Sequence, residues 1–396
     1  MNPRRPVALL ALVALTSATV AHAAVHRVRS GESIQAAIDA ASPGDTILVT
    51  PGVYQETGND RFGLRITTDG LRLIGIPNRG RGEAGKVRLV QFGTQLTGVY
   101  AAPEGCGPEV GVGNCPDELQ GFEIRGFTVE DFPGNGIQTR FVRDFKMIRN
   151  ESARNLENGI YPTISTNGLV KGNVSYGALD TAMWVAASDG VRVIGNEMYD
   201  SVIGFEISVA NDVLVMHNDI HDNTVGVGLF HPNAAGNAQL PVMENWVIER
   251  NRIYDNNLPN AAPPASFQGG LPPGVGVLLL GVSNHVVAKN EIENNDFVGI
   301  GVLGWCTAAS TIPSRNCMVD PPQADPSAND NLISQNRVIG NGGSPPGGLL
   351  DFLAADITYF QLLEAASGNC FERNRPRNGF TFVSSEPDGE LPTDGC

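Results

Sequence analysis

The chain has 396 residues, with 42 acidic against 27 basic side chains, a formal net charge of −15, and 47 Gly and 26 Pro. That balance excludes nucleic acid and anionic membranes as partners held by the overall field. It also repels polyanionic sugars unless a local basic patch or bound cations intervene. Abundant glycine with few aromatics points to a turn-dense β protein with ample core, whose internal repeats override the two or three domains that length alone suggests.

Residues 1–23 read as a secretory signal: Arg4 and Arg5 form a basic start, 7–20 an apolar stretch, and Ala21-His22-Ala23 a small-x-small cleavage site. The apolar stretch is short for a bilayer span, and no Cys follows to carry a lipid anchor. The mature chain is therefore expected to be exported, periplasmic or extracellular, with no membrane insertion. Val25–Val28 suits a short strand. A helix follows from 30 to 41, with Ser30 or Ser33 as N-cap and Ile34, Ala37, Ile38 and Ala41 on one apolar face, ended by Pro43-Gly44. Such a helix is a natural lid for a solenoid, whose open end would expose core and unpaired strand edges. Thr46–Val49 is a strand, 64–75 a strand, Asp-Gly turn and strand, and 77–119 an irregular stretch with a further strand at 87–92.

A repeat then runs from Phe122 to Asn341. Residues 191–205, 213–227 and 286–300 are three copies, each an alternating apolar strand, an Asn, a second short apolar beat, a polar turn, and a Gly leading a further strand. The marker Asn recurs at 150, 173, 196, 218, 251, 290 and 336, with first steps of 23, 23 and 22 residues. That period with two-residue alternation predicts a β-solenoid. The later steps, 33, 39 and 46 residues, are stretched by insertions at about 232–243, 257–273 and 305–328. These are expected to bulge from an unchanged coil. The repeat ends near 343, and apolar residues at helical spacing from Leu350 to Leu363 predict a helix over 349–366 within a helix-and-loop cap at 344–396. The domain plan is thus a signal at 1–23, a β-helix at 24–343 and that cap.

Cys106, Cys115, Cys306, Cys317, Cys370 and Cys396 form an even set in an exported chain, which favours disulfides. Six thiols allow 15 connectivities; sequence-local pairs 106–115, 306–317 and 370–396 are the simplest. No Cys or His spacing resembles a zinc site.

The segment 31–54, Gly-Glu-Ser-Ile-Gln-Ala-Ala-Ile-Asp through Pro-Gly-Val-Tyr, resembles the opening of pectin-lyase-like right-handed parallel β-helix proteins, and the Asn-centred beats resemble their coil repeat. The resemblance covers about 28–343. It implies an all-β, single-stranded right-handed parallel β-helix. It is specific for fold and much less so for function. The superfamily holds pectate and alginate lyases, uronan epimerases, glycoside hydrolases, periplasmic proteins without assigned chemistry, and an accessory factor of nitrous oxide reductase maturation.

The marker asparagines read as a structural ladder, since Asn tolerates corner backbone and stacked amides bond from coil to coil. No cofactor is called for; calcium held by stacked turn carboxylates is the minority reading. Candidate chemistry lies on the strand after each Gly. If Ile137, Ile160, Met183, Phe205 and Val227 point inward, the next positions point outward. These are Gln138, Tyr161, Trp184 and Glu206, then Gly228, Leu278 and Gly301. Two further on stand Arg140, Thr163, Ala186, Ser208 and Phe230, with His231 ending its strand. Tyr161 and Trp184 offer a platform for sugar rings, and Glu206 with Asp180 is the carboxylate pair a hydrolase needs. Arg140, Tyr161 or His231 suits a lyase or epimerase. Against this stand burial of the aromatics under a loop and a merely solvated Glu206. The basic set Arg140, Arg143, Lys146, Arg149 and Arg154 suits a uronate or ordinary solvated corners. Met216, His217 and His221 suggest copper but align with corner residues of other repeats. Three functions remain open: a polysaccharide-active enzyme, a non-catalytic glycan-binding or cell-envelope protein, and an accessory factor for a periplasmic metalloenzyme.

Overall fold

The computed structural model describes residues 23–57, 61–111, 113–230, 243–310, 317, 325–375 and 380–396. The expected signal up to residue 22, His231 and most of the 232–243 insertion lie outside these.

Each repeat closes one coil. Arg192–Ile194, Glu197–Tyr199 and Ile203–Ser208 form one, and Val213–Met216, Asp219–His221 and Val225–Phe230 the next. Corresponding strands pair in parallel, which among the described residues gives a first sheet of 12 strands, a second of 10 and a third of 11. The chain is a right-handed parallel β-helix. Among the described residues, the insertions leave the register untouched. Val193 pairs with Val215, then Ile248, Val287 and Ile333 in series, none more than 1% exposed. The third sheet supplies the facing wall through Ile160, Met183, Phe205 and Val227, as the apolar beat predicts. Each buried Val, Leu, Ile, Phe or Met contributes roughly 1.5–3 kcal/mol, so the stacked walls dominate stability.

The marker asparagines are buried and chained. Asn196 donates its amide to Asn218 Oδ1 at 3.0 Å, Asn218 to Asn251 at 2.9 Å, and Asn251 to Asn290 at 3.0 Å. The left-handed corner residue is not the Asn but its predecessor: Arg149, Gly172, Gly195, His217, Arg250, Lys289 and Gln335 all have φ between 54° and 64°. The Asn turns inward and satisfies the corner's backbone groups. A second ladder, Asn223–Asn256–Asn295–Asn341, does the same at the next corner. It also explains one glycine of the repeat. A Cβ on Gly204 would stand 2.8 Å from Asn223 Nδ2 and 2.6 Å from Ile220 Cγ2.

A short helix, Ile34–Asp39, caps the N-terminal end with Ile34 and Ile38 buried. Ser33 is its N-cap, and Glu56 accepts from both the Ser33 hydroxyl and the Ile34 N–H at 2.6 Å. At the other end the sequence reading is corrected: no helix spans 349–366. Asp351–Leu353 is a single 3-10 turn and Ala355–Phe360 a strand that extends the third sheet. Ile357 and Tyr359 face the core and Phe360 the outer side, the two-residue alternation of a strand, which coincides with helical spacing over so short a run. The coil also continues past 343, because Cys370–Glu372 adds to the first sheet and Phe382–Ser384 to the third. All three sequence-local disulfides are present.

Candidate functional site

The outer face of the third sheet carries the candidate residues. Register confirms one ladder, Arg65–Tyr100–Gln138–Tyr161, continuing through Trp184–Glu206–Gly228–Leu278–Gly301–Thr358. The strands break alternation where they begin. Ala182 and Met183 both face the core, so Thr181 falls on the outer side with Trp184. Its register partner Ile203, and then Val225, belong to an outer apolar cluster rather than to the core.

That break places Thr181 between two carboxyls. Its Oγ1 stands 2.9 Å from Glu206 Oε2 and 3.1 Å from Asp180 Oδ1, so these carboxyl oxygens are no more than about 6 Å apart. Glu206 is 5% exposed, which corrects the picture of a solvated strand carboxylate. Burial first, then the charge of Asp180, pushes its pKa well above the usual carboxylate value. Burial likewise pushes Asp180 up to about 6, against hydrogen bonds from Thr181 and Gln268 that pull it down. Gln268 belongs to the 257–273 insertion, which therefore folds back onto this site. Thr181 and Gln268 escape a sequence reading: strict alternation turns Thr181 inward, and nothing in a loop's composition says where it lands.

Tyr161 and Trp184, both half-buried, stack with ring centroids 4.6 Å apart and planes 9° from parallel. Their facing surfaces are thus spent on each other, which leaves ring edges and outer faces for a ligand. Trp184 Nε1 is fixed by Ser208 Oγ at 2.9 Å. Gln138 is buried and accepts from Asn135 Nδ2 at 3.2 Å. Arg140 donates to the Val110 carbonyl and lies over the Phe141 ring, while its Nε is buried without a partner. Phe230, expected on an open face, is fully buried against Phe267, and Phe267 packs on Trp305. Phe267 and Trp305, from two separate insertions, thus cover Phe230, and a sugar is left the polar and aromatic rungs from Gln138 to Glu206.

The wider basic set does not converge. Arg143 pairs with Glu118, and Arg154 with Glu130 and Asp131. His217 is an exposed corner residue. His221 is stacked between Tyr199 and Tyr254, with its ring nitrogens near Asp222 and Glu197. Among the described residues no three His, Cys, Asp or Glu side chains group to hold a metal ion.

Parallel coils, three long sheets and interior asparagine ladders define a right-handed parallel β-helix protein. The family described as periplasmic copper-binding protein (NosD) matches residues 110–270. Among solved structures, DFA-IIIase from Arthrobacter chlorophenolicus A6, in complex with GF2, superposes with a TM-score of 0.54 at 14% identity, over 91% of this chain and 82% of that one. The A-module of the mannuronan C-5 epimerase AlgE4 of Azotobacter vinelandii does so at 0.52 and 15% identity, over 87% of this chain and 94% of that one. At such identities the likeness is one of fold. No protein of curated function matches the sequence. The copper in the family's description finds no fitting donor set among the described residues, since His217 and His221 are placed as corner and stacking residues.

Proposed function

We propose that this protein is exported and processes an uncharged polysaccharide on the outer face of the third sheet, with Glu206 as proton donor and Asp180 as the ionised partner. The observation that carries this is the Asp180–Thr181–Glu206 bridge. Two carboxyls with unequal, raised pKa values in one site are the arrangement that divides acid and base roles in glycoside hydrolysis. Trp184 and Tyr161 beside them suit the apolar edge of a sugar ring. An uncharged glycan is favoured over a uronate, because two carboxyls face the ligand and the Arg140 side chain is held by Val110 and Phe141. The three disulfides suit an oxidising compartment, and no described helix is long and apolar enough to cross a membrane.

The test is incubation of the purified protein with neutral and uronate polysaccharides, read as reducing ends released and as the ultraviolet absorbance of unsaturated uronate. Reducing ends from a neutral glycan are expected, with Glu206→Gln lowering the rate on the order of 10²–10⁴-fold while binding persists. Unsaturated product from a uronan would replace this reading with a lyase centred on Arg140. Binding without cleavage would make the protein a glycan-binding module. An unaffected Glu206→Gln variant would remove the carboxyl pair from the site.

A second reading, an accessory factor for a periplasmic metalloenzyme, is favoured by the family match over 110–270. Stoichiometric copper retained after dialysis would support it.

A further inference from the structure

Further along the same face lies a cavity of about 360 Å³ that the glycan reading does not use. Its floor is the run Leu278–Gly301–Thr358 on three successive coils, where Gly301 supplies the depth. A Cβ there would reach 3.1 Å from Leu303 and 3.3 Å from Leu278. Leu271 of the 257–273 insertion forms one wall, and the turn before Ala355–Phe360 forms another. No charged side chain lines the cavity among the described residues. Its hydroxyls are already committed. Thr307 Oγ1 donates to Glu364 at 2.5 Å, Ser310 Oγ to the Thr307 carbonyl at 2.6 Å, and Thr358 Oγ1 to the Leu353 carbonyl at 2.6 Å. With those protons spent, a polar ligand would find few groups to replace its hydrogen bonds to water, whereas an apolar one loses none. The volume is that of a small-molecule site rather than a seat for a helix or domain.

The mouth narrows the choice. Leu349, Phe352, Leu362 and Leu363 line it and are 94%, 57%, 63% and 66% exposed, an apolar rim of the kind that marks an interaction site. Among the described residues, the rim turn carries Asp351, and Glu364 accepts from Thr307 of the lining; both are acidic, on a chain of net charge −15. An anionic head would be repelled there. The trough crosses three coils, about 10 Å at about 4.8 Å per coil, which suits an elongated ligand over a compact one. We propose that this cavity binds the alkyl chain of a non-ionic amphiphile, with its uncharged head left at the rim.

The experiment uses the disulfide-intact mature chain and the fluorescent probe N-phenyl-1-naphthylamine, displaced by decyl maltoside below its micellar concentration or by decanoate. Saturable probe binding is expected, with displacement by decyl maltoside at least tenfold more effective than by decanoate. Gly301→Leu fills the floor from the outer side and should abolish binding while the circular dichroism spectrum is kept. The rim double variant Leu349→Asn/Leu363→Asn, at positions too exposed to affect folding, should weaken binding several-fold; it decides the matter alone if Gly301→Leu does not fold. No saturable binding, a preference for decanoate, or unchanged affinity in the rim variant overturns the proposal. So does a concentration-dependent dimer whose formation, rather than probe binding, is what the rim variant abolishes. Loss of glycan processing in the same preparations would leave this outcome unaffected, because no residue is shared with the carboxyl pair.

Discussion

Thr181 and Glu206 are joined across neighbouring coils: the hydroxyl lies 2.9 Å from Glu206 Oε2 while also 3.1 Å from Asp180 Oδ1. A hydroxyl has one proton to donate, so it can serve only one of the two carboxyls as donor, and it can accept from the other only when that carboxyl is protonated. Burial raises both pKa values, so folding favours a proton on this pair.

The sign of the pH dependence follows. Asp180 moves from 3.8 to about 6 on folding and Glu206 rises well above 4.5, so between these limits the folded state binds more protons than the unfolded one. Stability is then greatest below about pH 4 as far as this pair is concerned, and falls as pH rises through 6. Asp180→Asn/Glu206→Gln should flatten the profile. In urea unfolding, wild type should lose on the order of 1–2 kcal/mol more than the double variant between about pH 5 and pH 8. Parallel profiles would show that the pair shares no proton.

The coil itself was legible because its chemistry repeats: Val193, Val215 and Ile248 announce an inner wall by alternation alone, and the Asn series announces a ladder. Two things were not legible. The consecutive inward pair Ala182–Met183 breaks alternation and hides Thr181, a local departure that no periodicity carries. The roof over Phe230 comes from Phe267 and Trp305 in separate insertions, and an insertion's landing place depends on tertiary packing. The strand at 355–360 reads as helix in the sequence because both its faces are apolar, so that Ile357 and Phe360, on opposite faces, stand at helical spacing.

The Asn ladder makes a quantitative claim. Asn218 Oδ1 accepts from the Asn196 N–H and side-chain amide, and Asn218 Nδ2 donates to the Val193 carbonyl and to Asn251. Asn218→Ala leaves several buried partners unpaired, at about 1–3 kcal/mol for each group that water cannot reach. A loss of at least about 3 kcal/mol in urea unfolding is expected. A loss below about 1 kcal/mol would mean that neighbouring coils relax to fill the gap.

The corner before that Asn should respond in the opposite direction. His217 has φ of 57° and is exposed, whereas its counterpart in the preceding coil is Gly195 at 64°. A left-handed residue with a Cβ is strained by about 1 kcal/mol. His217→Gly should therefore leave stability unchanged or raise it by up to about 1 kcal/mol, and Gly195→Val should lower it by about 1–2 kcal/mol. Thermal unfolding of the two variants distinguishes this from a role for the His217 ring, which would make His217→Gly destabilising.

Gln268 tests whether the 257–273 insertion belongs to the site. Its side chain hydrogen-bonds to Asp180 and holds that carboxyl below the value burial alone would set. Gln268→Met keeps the length and apolar stem but removes the donor, so the charged form of Asp180 loses support and its pKa should rise further, by on the order of one unit for one lost hydrogen bond to a charge. Where Asp180 must be ionised for turnover, the acidic limb of the rate profile moves to higher pH and the rate at its plateau is retained. Carboxyl titration followed by carbon-13 NMR gives the same answer without a substrate. An acidic limb and a titration that stay in place in Gln268→Met would show that the insertion merely roofs the sheet and leaves the carboxyl pair to set its own protonation.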